Sequence, residues 1–214
     1  MEIKIADLRK DYKKSELTKS SVNNNPFEQF KNWLQEAIDA ALDEPTAMII
    51  GTVSLEGRPA TRTVLLKGLE DGKFIFFSNY NSRKGQHLAA NPFISITFFW
   101  PGLERQVHIE GSVEKLSPAL SDAYFLSRPY TSRIGARVSP QSQKVQSRND
   151  IKLAFVAESA KFVGREVPRP EHWGGYAVTP ERMEFWQGRE SRLHDRILYL
   201  PLEGDKWEIS RLAP

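Results

Sequence analysis

The sequence contains no cysteine, few histidines and no long apolar run. Without cysteine there can be no disulfide, no thiolate metal ligand and no cysteine nucleophile. The four histidines do not pair at three- or four-residue spacing, so we expect no metal site. No apolar run approaches the roughly 18 residues that a membrane-spanning helix needs, so we expect no membrane partner.

Neither positive nor negative charge is in large excess. Lys and Arg total 30 and Asp and Glu total 27, which gives a net charge of +3. This excess is too small to indicate nucleic-acid binding. The first twenty residues mix both charges and lack an apolar core, unlike a signal peptide. We therefore expect a soluble cytoplasmic protein with no nucleic-acid partner.

Several catalytic motifs are missing as well. No G-x-G-x-x-G follows a strand, and no G-x-S-x-G nucleophile elbow is present. The segment 68–73 has glycines and a lysine like a phosphate loop, but it lacks the following Ser or Thr and falls between two predicted strands. We interpret it as a hairpin turn.

Hydrophobic periodicity predicts many strands and a few helices. Apolar residues at helical spacing, with Asn25 as N-cap and Pro26 in the first turn, predict a helix over 26–43. Alternating and β-branched patterns predict strands at 47–53, 60–67, 73–78, 93–100, 105–116, 175–178, 182–187, 196–200 and 206–211. Further helices are predicted at 82–91, 118–127 and 149–162.

The order of these elements predicts the fold class. Strands follow one another in series with helices inserted between groups, which favours a mainly β (α+β) fold, an antiparallel barrel with peripheral helices. Residues 1–25 are polar without a sustained period, and we predict a mobile N-terminal arm there. Residues 26–214 are predicted to form a single domain because no linker or repeat interrupts them.

Basic residues near turns and helix ends are the first candidates for a binding site. Arg62 and Lys67 bracket one predicted strand, and Arg83 and Lys84 open a helix. A helix start with two cations suits a phosphate, although such pairs are also common on solvated surfaces. Strict strand alternation would place Arg62 and Lys67 on opposite faces, so either a bulge intervenes or the two residues serve different ligands across a bend.

Two further clusters carry chemistry. Tyr124 and Arg128 lie four residues apart on a predicted helix, with Ser132 just beyond, and together they suit a phosphate monoester. Packing of the Tyr with a capping Arg is an equally good explanation from spacing alone. The densest segment, residues 184–196, combines Trp186 with several arginines and His194. If it is extended, Arg192 and His194 share a face.

These segments resemble, in order and spacing, the signatures of the pyridoxine 5′-phosphate oxidase family. The matching segments are Arg62-Thr63-Val64-Leu65-Leu66-Lys67, Asn81-Ser82-Arg83-Lys84, Glu104-Arg105-Gln106-Val107, Ser127-Arg128-Pro129, Phe185-Trp186-Gln187-Gly188, Arg192-Leu193-His194-Asp195-Arg196 and Arg211-Leu212-Ala213-Pro214. The resemblance implies an FMN-binding split β-barrel and a homodimer with FMN at its interface. It also implies oxidation of pyridoxine 5′-phosphate and pyridoxamine 5′-phosphate by O2 to pyridoxal 5′-phosphate, with H2O2 released and ammonia from the amine.

The resemblance also assigns residues to ligands. One subunit would hold FMN through Arg62, Thr63, Val64, Leu65, Leu66, Lys67, Phe77, Ser78, Arg83, Lys84 and Gln106. The other subunit would add Gln141, Ser142, Trp186 and Arg196. The substrate phosphate would meet Lys67, Tyr124, Arg128 and Ser132, while Arg192 and His194 would be the catalytic pair over the pyridine ring. Arg9 and Tyr12 would belong to a lid.

Two positions depart from the family pattern, and rival functions remain open. Phe77 stands where the family often has Tyr, and Arg137 where it often has Trp. The nearest rival is a related split-barrel flavoenzyme, such as one of phenazine biosynthesis, which would lack the phosphate cluster. A non-catalytic flavin or pyridoxal phosphate carrier would use the same binding residues. A nucleic-acid-binding barrel would need a basic, aromatic face.

Overall fold

The structure is a computed structural model that describes residues 11–214, so the prediction for Arg9 lies outside the described residues. Within this range the α-helices are α1 (Pro26–Asp39), α2 (Arg83–Ala90), α3 (Pro118–Ser127), α4 (Tyr130–Val138) and α5 (Arg148–Lys161). The strands are β1 (Ala47–Val53), β2 (Pro59–Leu65), β3 (Gly68–Glu70), β4 (Lys73–Asn79), β5 (Phe93–Trp100), β6 (Arg105–Lys115), β7 (Trp173–Gln187), β8 (Asp195–Pro201) and β9 (Trp207–Arg211).

Side-chain caps explain where the helices begin. The Asn25 side chain accepts a hydrogen bond from the Phe27 amide, and Pro26 occupies the first turn of α1, as predicted. Ser82 caps α2 by accepting from the Gly85 amide, and Ser147 forms a reciprocal capping box with Asp150 at α5. These caps satisfy amides that have no partner inside their own helix.

The strands form one sheet in the order β2-β1-β5-β6-β7-β4-β3, with β8 paired to β7 and β9 to β8. The pairs β3–β4, β4–β7, β7–β8 and β8–β9 are antiparallel. In the β3–β4 hairpin, Glu70 faces Lys73, and the two turn residues, Asp71 and Gly72, both have positive φ. Such a turn twists as the flanking strands do, and it confirms the predicted hairpin.

The chain divides into two compact units. The first contains the described residues up to 49, 95–110 and 180–214. Its core is aromatic: the ring centroid of Phe30 on α1 lies 4.8 Å from that of Phe98, and Trp33 lies 5.2 Å from Phe185. These rings are almost fully buried, so the apolar face of α1 is stabilised by packing on β5 and β7.

The second unit contains residues 50–94 and 111–179. Phe125, Ile134, Val167 and Trp173 form a buried cluster in it. Phe77 and Tyr124 pack on the edge of this cluster while they also line a cavity described below. Core packing in this unit therefore fixes the orientation of side chains that face the cavity.

Several elements differ from the predictions for physical reasons. Helix α4 was not predicted because it buries a single apolar residue, Ile134, and follows Pro129 directly. Strand β7 is continuous through Pro180, although two separate strands were predicted there. The predicted turn at 68–73 contains the short strand β3 as well. The mobility of residues 1–25 and the single domain at 26–214 stay predictions.

Candidate active site

A cavity of about 630 Å³ lies in the second unit and brings together most of the predicted cofactor residues. Its lining includes the predicted residues Arg62, Thr63, Val64, Leu65, Lys67, Phe77, Ser78, Arg83, Lys84, Tyr124, Arg128, Gln141 and Ser142. Trp173, Ala60 and Thr61 line it without having been predicted. Leu66 is buried in the core and does not line the cavity.

The end of β2 explains how Arg62 and Lys67 reach one cavity. The strand stops at Leu65, and the Lys67 amide donates to the carbonyl of Ile75 at 2.8 Å, at the start of β3. Strand structure is therefore interrupted at Leu66 and Lys67, so strict strand alternation does not extend from Arg62 to Lys67.

Lys84 is the most deeply buried cation of the cavity. Its ammonium group donates to Ser78 Oγ at 3.0 Å and to Gln141 Oε1 at 2.9 Å. Burial, together with the nearby charge of Arg62, lowers the pKa of Lys84 to about 8. Gln141 meets Lys84 within one chain, whereas the resemblance assigned Gln141 to the partner subunit.

Carboxylates are missing around these cations. Within residues 11–214, no Asp or Glu lies within ion-pair distance of Arg62, Arg83 or Lys84. Burial lowers the pKa of Arg62, and the neighbouring Arg83 lowers it further. Three cations that repel one another without an acidic partner are an unfavourable arrangement unless an anion binds there.

The start of α2 adds backbone donors to this end of the cavity. Gly85 is required here, because a Cβ atom would lie 2.0 Å from the carbonyl oxygen of Tyr80. This close approach holds the first turn of the helix against the preceding loop. Arg83 and Lys84 lie in that turn, and amide N–H groups at the start of a helix can bind an anion.

Arg128 lines the same cavity together with aromatic rings. Its guanidinium lies 4.6 Å from the Trp173 ring centroid, and Tyr124 stacks on Phe77 at 3.8 Å. The Arg128 Nη1 atom is buried and has no hydrogen-bond partner among the described residues. Burial also lowers the pKa of Arg128 and raises that of Tyr124. An unpaired buried donor of this kind indicates a missing acceptor.

Ser132 lies beside Arg128 rather than in the large cavity. Both residues line an adjacent cavity of about 330 Å³, together with Trp173 and Gln141. The predicted phosphate cluster is therefore brought together in part: Lys67, Tyr124 and Arg128 share the large cavity, and Ser132 shares the smaller one with Arg128.

The position of Arg137, a departure from the family pattern, has a structural explanation. Its guanidinium pairs with Glu158 at 2.7 Å, donates to the carbonyl of Pro168 at 2.9 Å and lies 4.9 Å from the Phe162 ring centroid. The arginine packs its flat face on an aromatic ring, as a tryptophan would.

A second group of predicted residues lies in the first unit, around the loop between β7 and β8. The rings of Tyr12, Trp186 and His194 meet there, with centroid distances of 5.8 Å for Tyr12 to Trp186 and 4.7 Å for Trp186 to His194. A Cβ atom at Gly188 would lie 2.7 Å from the Tyr12 ring, so glycine makes room for it. The Tyr12 ring therefore packs against Gly188 and beside His194.

The hydrogen bonding of His194 shows which of its ring nitrogens carries the hydrogen in the neutral form. The Arg189 amide donates to His194 Nδ1 at 3.1 Å. Because an amide nitrogen only donates, Nδ1 is the acceptor, and the neutral ring carries its hydrogen on Nε2. His194 can therefore donate a hydrogen bond through Nε2 and is poorly prepared to accept a proton there.

Arg192 and His194 were expected to share a face only if this stretch is extended, and that condition is not met. Residues 190–192 form a 3-10 turn in which Ser191 and Arg192 have φ of 55° and 62°. Left-handed backbone at non-glycine residues is strained and concentrates at functional sites. The Arg192 side chain is exposed and has no acidic partner among the described residues.

Arg196 and Gln106 are the remaining predicted residues of this unit. Arg196 forms a two-point ion pair with Glu184, at 2.7 and 3.0 Å, and donates to the carbonyl of Ala213. The hydrogen bonds that Arg196 donates to the Glu184 carboxylate raise the pKa of Arg196. Gln106 lies half-buried on β6.

Asp195 joins this loop to distant parts of the chain. It accepts from the Leu17 amide at 3.0 Å and from Arg211 at 2.5 Å, and Arg189 lies 3.7 Å away. Burial opposes its charge, but the hydrogen bonds from Arg211 and Leu17 lower the pKa of Asp195 overall. The Lys13 and Lys14 amides are held in turn by Glu104.

Comparison with known proteins identifies the fold class. A solved structure of PhzG from Burkholderia lata 383, in complex with tetrahydrophenazine-1-carboxylic acid, superimposes with a TM-score of 0.86 at 27% identity, covering 93% of this chain and 98% of that one. A pyridoxamine 5′-phosphate oxidase-related, FMN binding protein from Nostoc punctiforme matches with a TM-score of 0.73 at 17% identity, covering 90% and 100%. The predicted fold, a mainly antiparallel split β-barrel with peripheral helices, is confirmed.

Sequence comparison identifies the family. The model described as pyridoxamine 5′-phosphate oxidase matches residues 34–161, and the pyridoxine 5′-phosphate oxidase C-terminal dimerisation region matches 173–214. A pyridoxine/pyridoxamine 5′-phosphate oxidase of Bacteroides thetaiotaomicron is 63% identical over 98% of this chain and 99% of its own. The corresponding Porphyromonas gingivalis protein is 53% identical over the full length of both. The chain belongs to the pyridoxamine 5′-phosphate oxidase family.

Membrane-spanning helices and metal-binding clusters are both absent from the described residues. Within residues 11–214, no helix is long and apolar enough to cross a membrane. The same residues contain no cluster of three or more His, Asp or Glu side chains arranged to hold a metal ion.

Proposed function

We propose that this protein is an FMN-dependent oxidase that converts pyridoxine 5′-phosphate and pyridoxamine 5′-phosphate to pyridoxal 5′-phosphate. The observation that carries the proposal is the cavity lined by cations that lack carboxylate partners, in a chain 63% identical to an enzyme of that name. Its volume, about 630 Å³, is within the range of pockets for small ligands and cofactors.

The residues present fit a cofactor with a phosphate group. Arg62, Arg83 and Lys84 supply the unneutralised charge, and the first turn of α2 supplies amide donors. We assign the FMN phosphate to this end of the cavity. FMN, when bound, supplies a two-electron acceptor for the C4′ carbon of the substrate and passes the electrons to O2, which yields H2O2.

The other end of the cavity fits the phosphate of the substrate. Arg128 has a buried donor without a partner among the described residues, Tyr124 lies close to it, and Lys67 lines the same cavity. Ser132 borders Arg128 in the adjacent cavity. The guanidinium stacks on Trp173 and is therefore held in one orientation. A planar guanidinium in a fixed orientation suits the two-point hydrogen bonding of a phosphate.

Arg192 and His194 would position the substrate ring. His194 has its hydrogen on Nε2 and would donate to an oxygen or nitrogen substituent of the pyridine, while Arg192 would add positive charge from an exposed, strained turn. We assign them positioning and electrostatic roles without a general base. Tyr12, and Arg9 outside the described residues, would cover the substrate.

We infer a homodimer with FMN at its interface and a cytoplasmic location. The family's dimerisation region matches residues 173–214, and these include Trp186, Arg192, His194 and Arg196. In such a dimer a second copy would present this loop to the cavity. The dimer would explain why the predicted site residues fall into two groups.

An absorbance spectrum followed by turnover in air tests the proposed function. The purified protein should show a flavin spectrum and, after addition of pyridoxine 5′-phosphate, produce pyridoxal 5′-phosphate and H2O2. Unphosphorylated pyridoxine serves as the matched control and should react far more slowly because Arg128 would lack its partner. Flavin without turnover would favour a carrier or a related flavoenzyme, and failure to bind supplied FMN would refute the proposal.

A further inference from the structure

A buried hydrogen-bonded chain links Arg62 to helix α2. The Arg62 Nη1 atom donates to Thr52 Oγ1 at 2.8 Å and to the carbonyl oxygen of Ile50 at 3.2 Å. Thr52 Oγ1 in turn lies 3.0 Å from His87 Nδ1. Thr52 is 1% exposed and His87 7% exposed, so water does not replace these contacts easily.

The direction of the hydrogen bonds follows from the groups involved. A guanidinium only donates, so the Thr52 oxygen accepts from Arg62. The buried Thr52 hydroxyl then needs an acceptor for its own hydrogen, and among the described residues His87 Nδ1 is the one within reach. The neutral His87 ring therefore carries its hydrogen on Nε2.

Holding an arginine with a hydroxyl and a carbonyl differs from holding it with a carboxylate. A carboxylate would fix the guanidinium but cancel its charge, whereas Thr52 and Ile50 fix it and leave the full charge for a ligand. The Nε and Nη2 atoms of Arg62 have no hydrogen-bond partner among residues 11–214 and remain for the cavity that Arg62 lines.

We propose that Thr52 and His87 are positioning residues that hold Arg62 toward the phosphate of FMN. Neither residue lines the cavity, and both act through the Nη1 contact. This inference rests on the proposed function, in which Arg62 binds the cofactor. It adds a supporting chain that the cation cluster itself does not reveal.

The dissociation constant of FMN from the apoprotein, measured by quenching of flavin fluorescence, tests the chain. Thr52→Val removes the hydroxyl at nearly constant volume and should weaken FMN binding about five- to tenfold. Thr52→Ser keeps the hydroxyl and should stay within about twofold of the unmodified protein. His87→Leu should weaken binding about threefold, and His87→Asn, which offers an acceptor near the position of Nδ1, should restore it.

An Arg62→Ala background separates positioning from packing. If Thr52 acts through Arg62, Thr52→Val should cause no further loss of FMN affinity in that background. Thermal unfolding of each apoprotein checks that it is folded, and the His87 pair keeps the test usable if Thr52→Val does not fold.

The possible failures are distinguishable. Equal losses from Thr52→Val with and without Arg62 would overturn the positioning role and leave the proposed function intact. The same holds if Thr52→Ser fails to retain affinity in a folded protein. If Arg62→Ala alone leaves FMN affinity unchanged, the assignment of Arg62 to the cofactor is wrong, and the inference falls with it.

Discussion

The basic residues of the cavity and those of the β7–β9 region are held in opposite ways. In the cavity, Arg62, Arg83 and Lys84 have no acidic partner among residues 11–214. In the β7–β9 region, Arg196 pairs with Glu184 and Arg211 with Asp195. Paired cations stabilise the fold with little charge left over, whereas unpaired cations cost stability and keep their charge for a ligand. The presence or absence of an acidic partner therefore distinguishes cations that stabilise the fold from cations that can bind a ligand.

Arg192 is the sharpest test of this comparison, because it lies in the β7–β9 region and yet has no acidic partner among the described residues. Arg192→Ala should lower turnover about a hundredfold, since a positioned charge over the substrate is lost. FMN affinity and thermal stability should change little. Steady-state kinetics with cofactor titration checks this. Full activity of the variant would remove Arg192 from the site.

Substitution of Arg128 should weaken substrate binding without lowering the stability of the fold, unlike substitution of a structural arginine. Arg128→Met keeps an unbranched side chain and removes the guanidinium over Trp173 together with its buried unpaired Nη1 atom. We expect KM for pyridoxine 5′-phosphate to rise about 30-fold, as for a lost charged hydrogen bond, while the apoprotein is no less stable. Tyr124→Phe is the matched control and should raise KM less. A large loss of stability in Arg128→Met would make Arg128 a structural residue.

Arg196 should behave as a scaffold cation. Arg196→Met leaves the buried carboxylate of Glu184 without its two-point partner. We expect a loss of about 2 kcal/mol in the free energy of unfolding, less than for a fully buried pair because Arg196 is partly exposed. Urea unfolding measures it. The double variant with Glu184→Gln should recover part of the loss, and additive losses would argue against the pair.

Lys84 sharpens the comparison through pH. Its pKa, lowered to about 8 by burial and by Arg62, lies below that of the unfolded chain at 10.5. Below pH 8 the cost of burying the charge is fully present, and it is relieved as pH rises from 8 toward 10.5, because the folded chain releases the proton first. Relative to Lys84→Met, the apoprotein should therefore gain stability in this window.

FMN affinity should move in the opposite direction over the same window. As Lys84 loses its charge, the dissociation constant of FMN should rise about fivefold between pH 7 and pH 9. Lys84→Met should show a flatter profile, and the difference between the two proteins isolates Lys84 from other titrating groups. Parallel profiles would show that Lys84 does not contact the anion.

Prediction from the sequence succeeded where a residue type and a local signal agreed. Asn25 and Pro26 marked the start of α1, and Asp71-Gly72 marked the hairpin between β3 and β4. The local sequence indicated Arg62, Lys67, Arg83 and Lys84 as candidate binding residues. Only the family resemblance assigned them to a single site. Cations near turns are common, and only three-dimensional proximity separates a site from a solvated surface.

Other features had no local signal. Trp173 lines the cavity through the pairing of β7 with β4, which is set by tertiary contacts. The left-handed turn at Ser191 and Arg192 contradicts the backbone preference of both residues, so a pattern-based reading made it extended. Thr52 and His87 are 35 positions apart, and neither residue type at that spacing indicates a hydrogen bond.

The hydrogen bonds at Asp195 have a consequence for synthesis of the chain on the ribosome. The shape of the β7–β8 loop depends on Arg211, which also donates to the Leu17 carbonyl across a separation of 194 residues. Leu17 can therefore complete its hydrogen bonds to Asp195 and Arg211 only after translation has reached β9. The loop that carries Arg192 and His194 takes its final form only then, so under the proposed function we expect catalytic competence to be the last property that the nascent protein acquires.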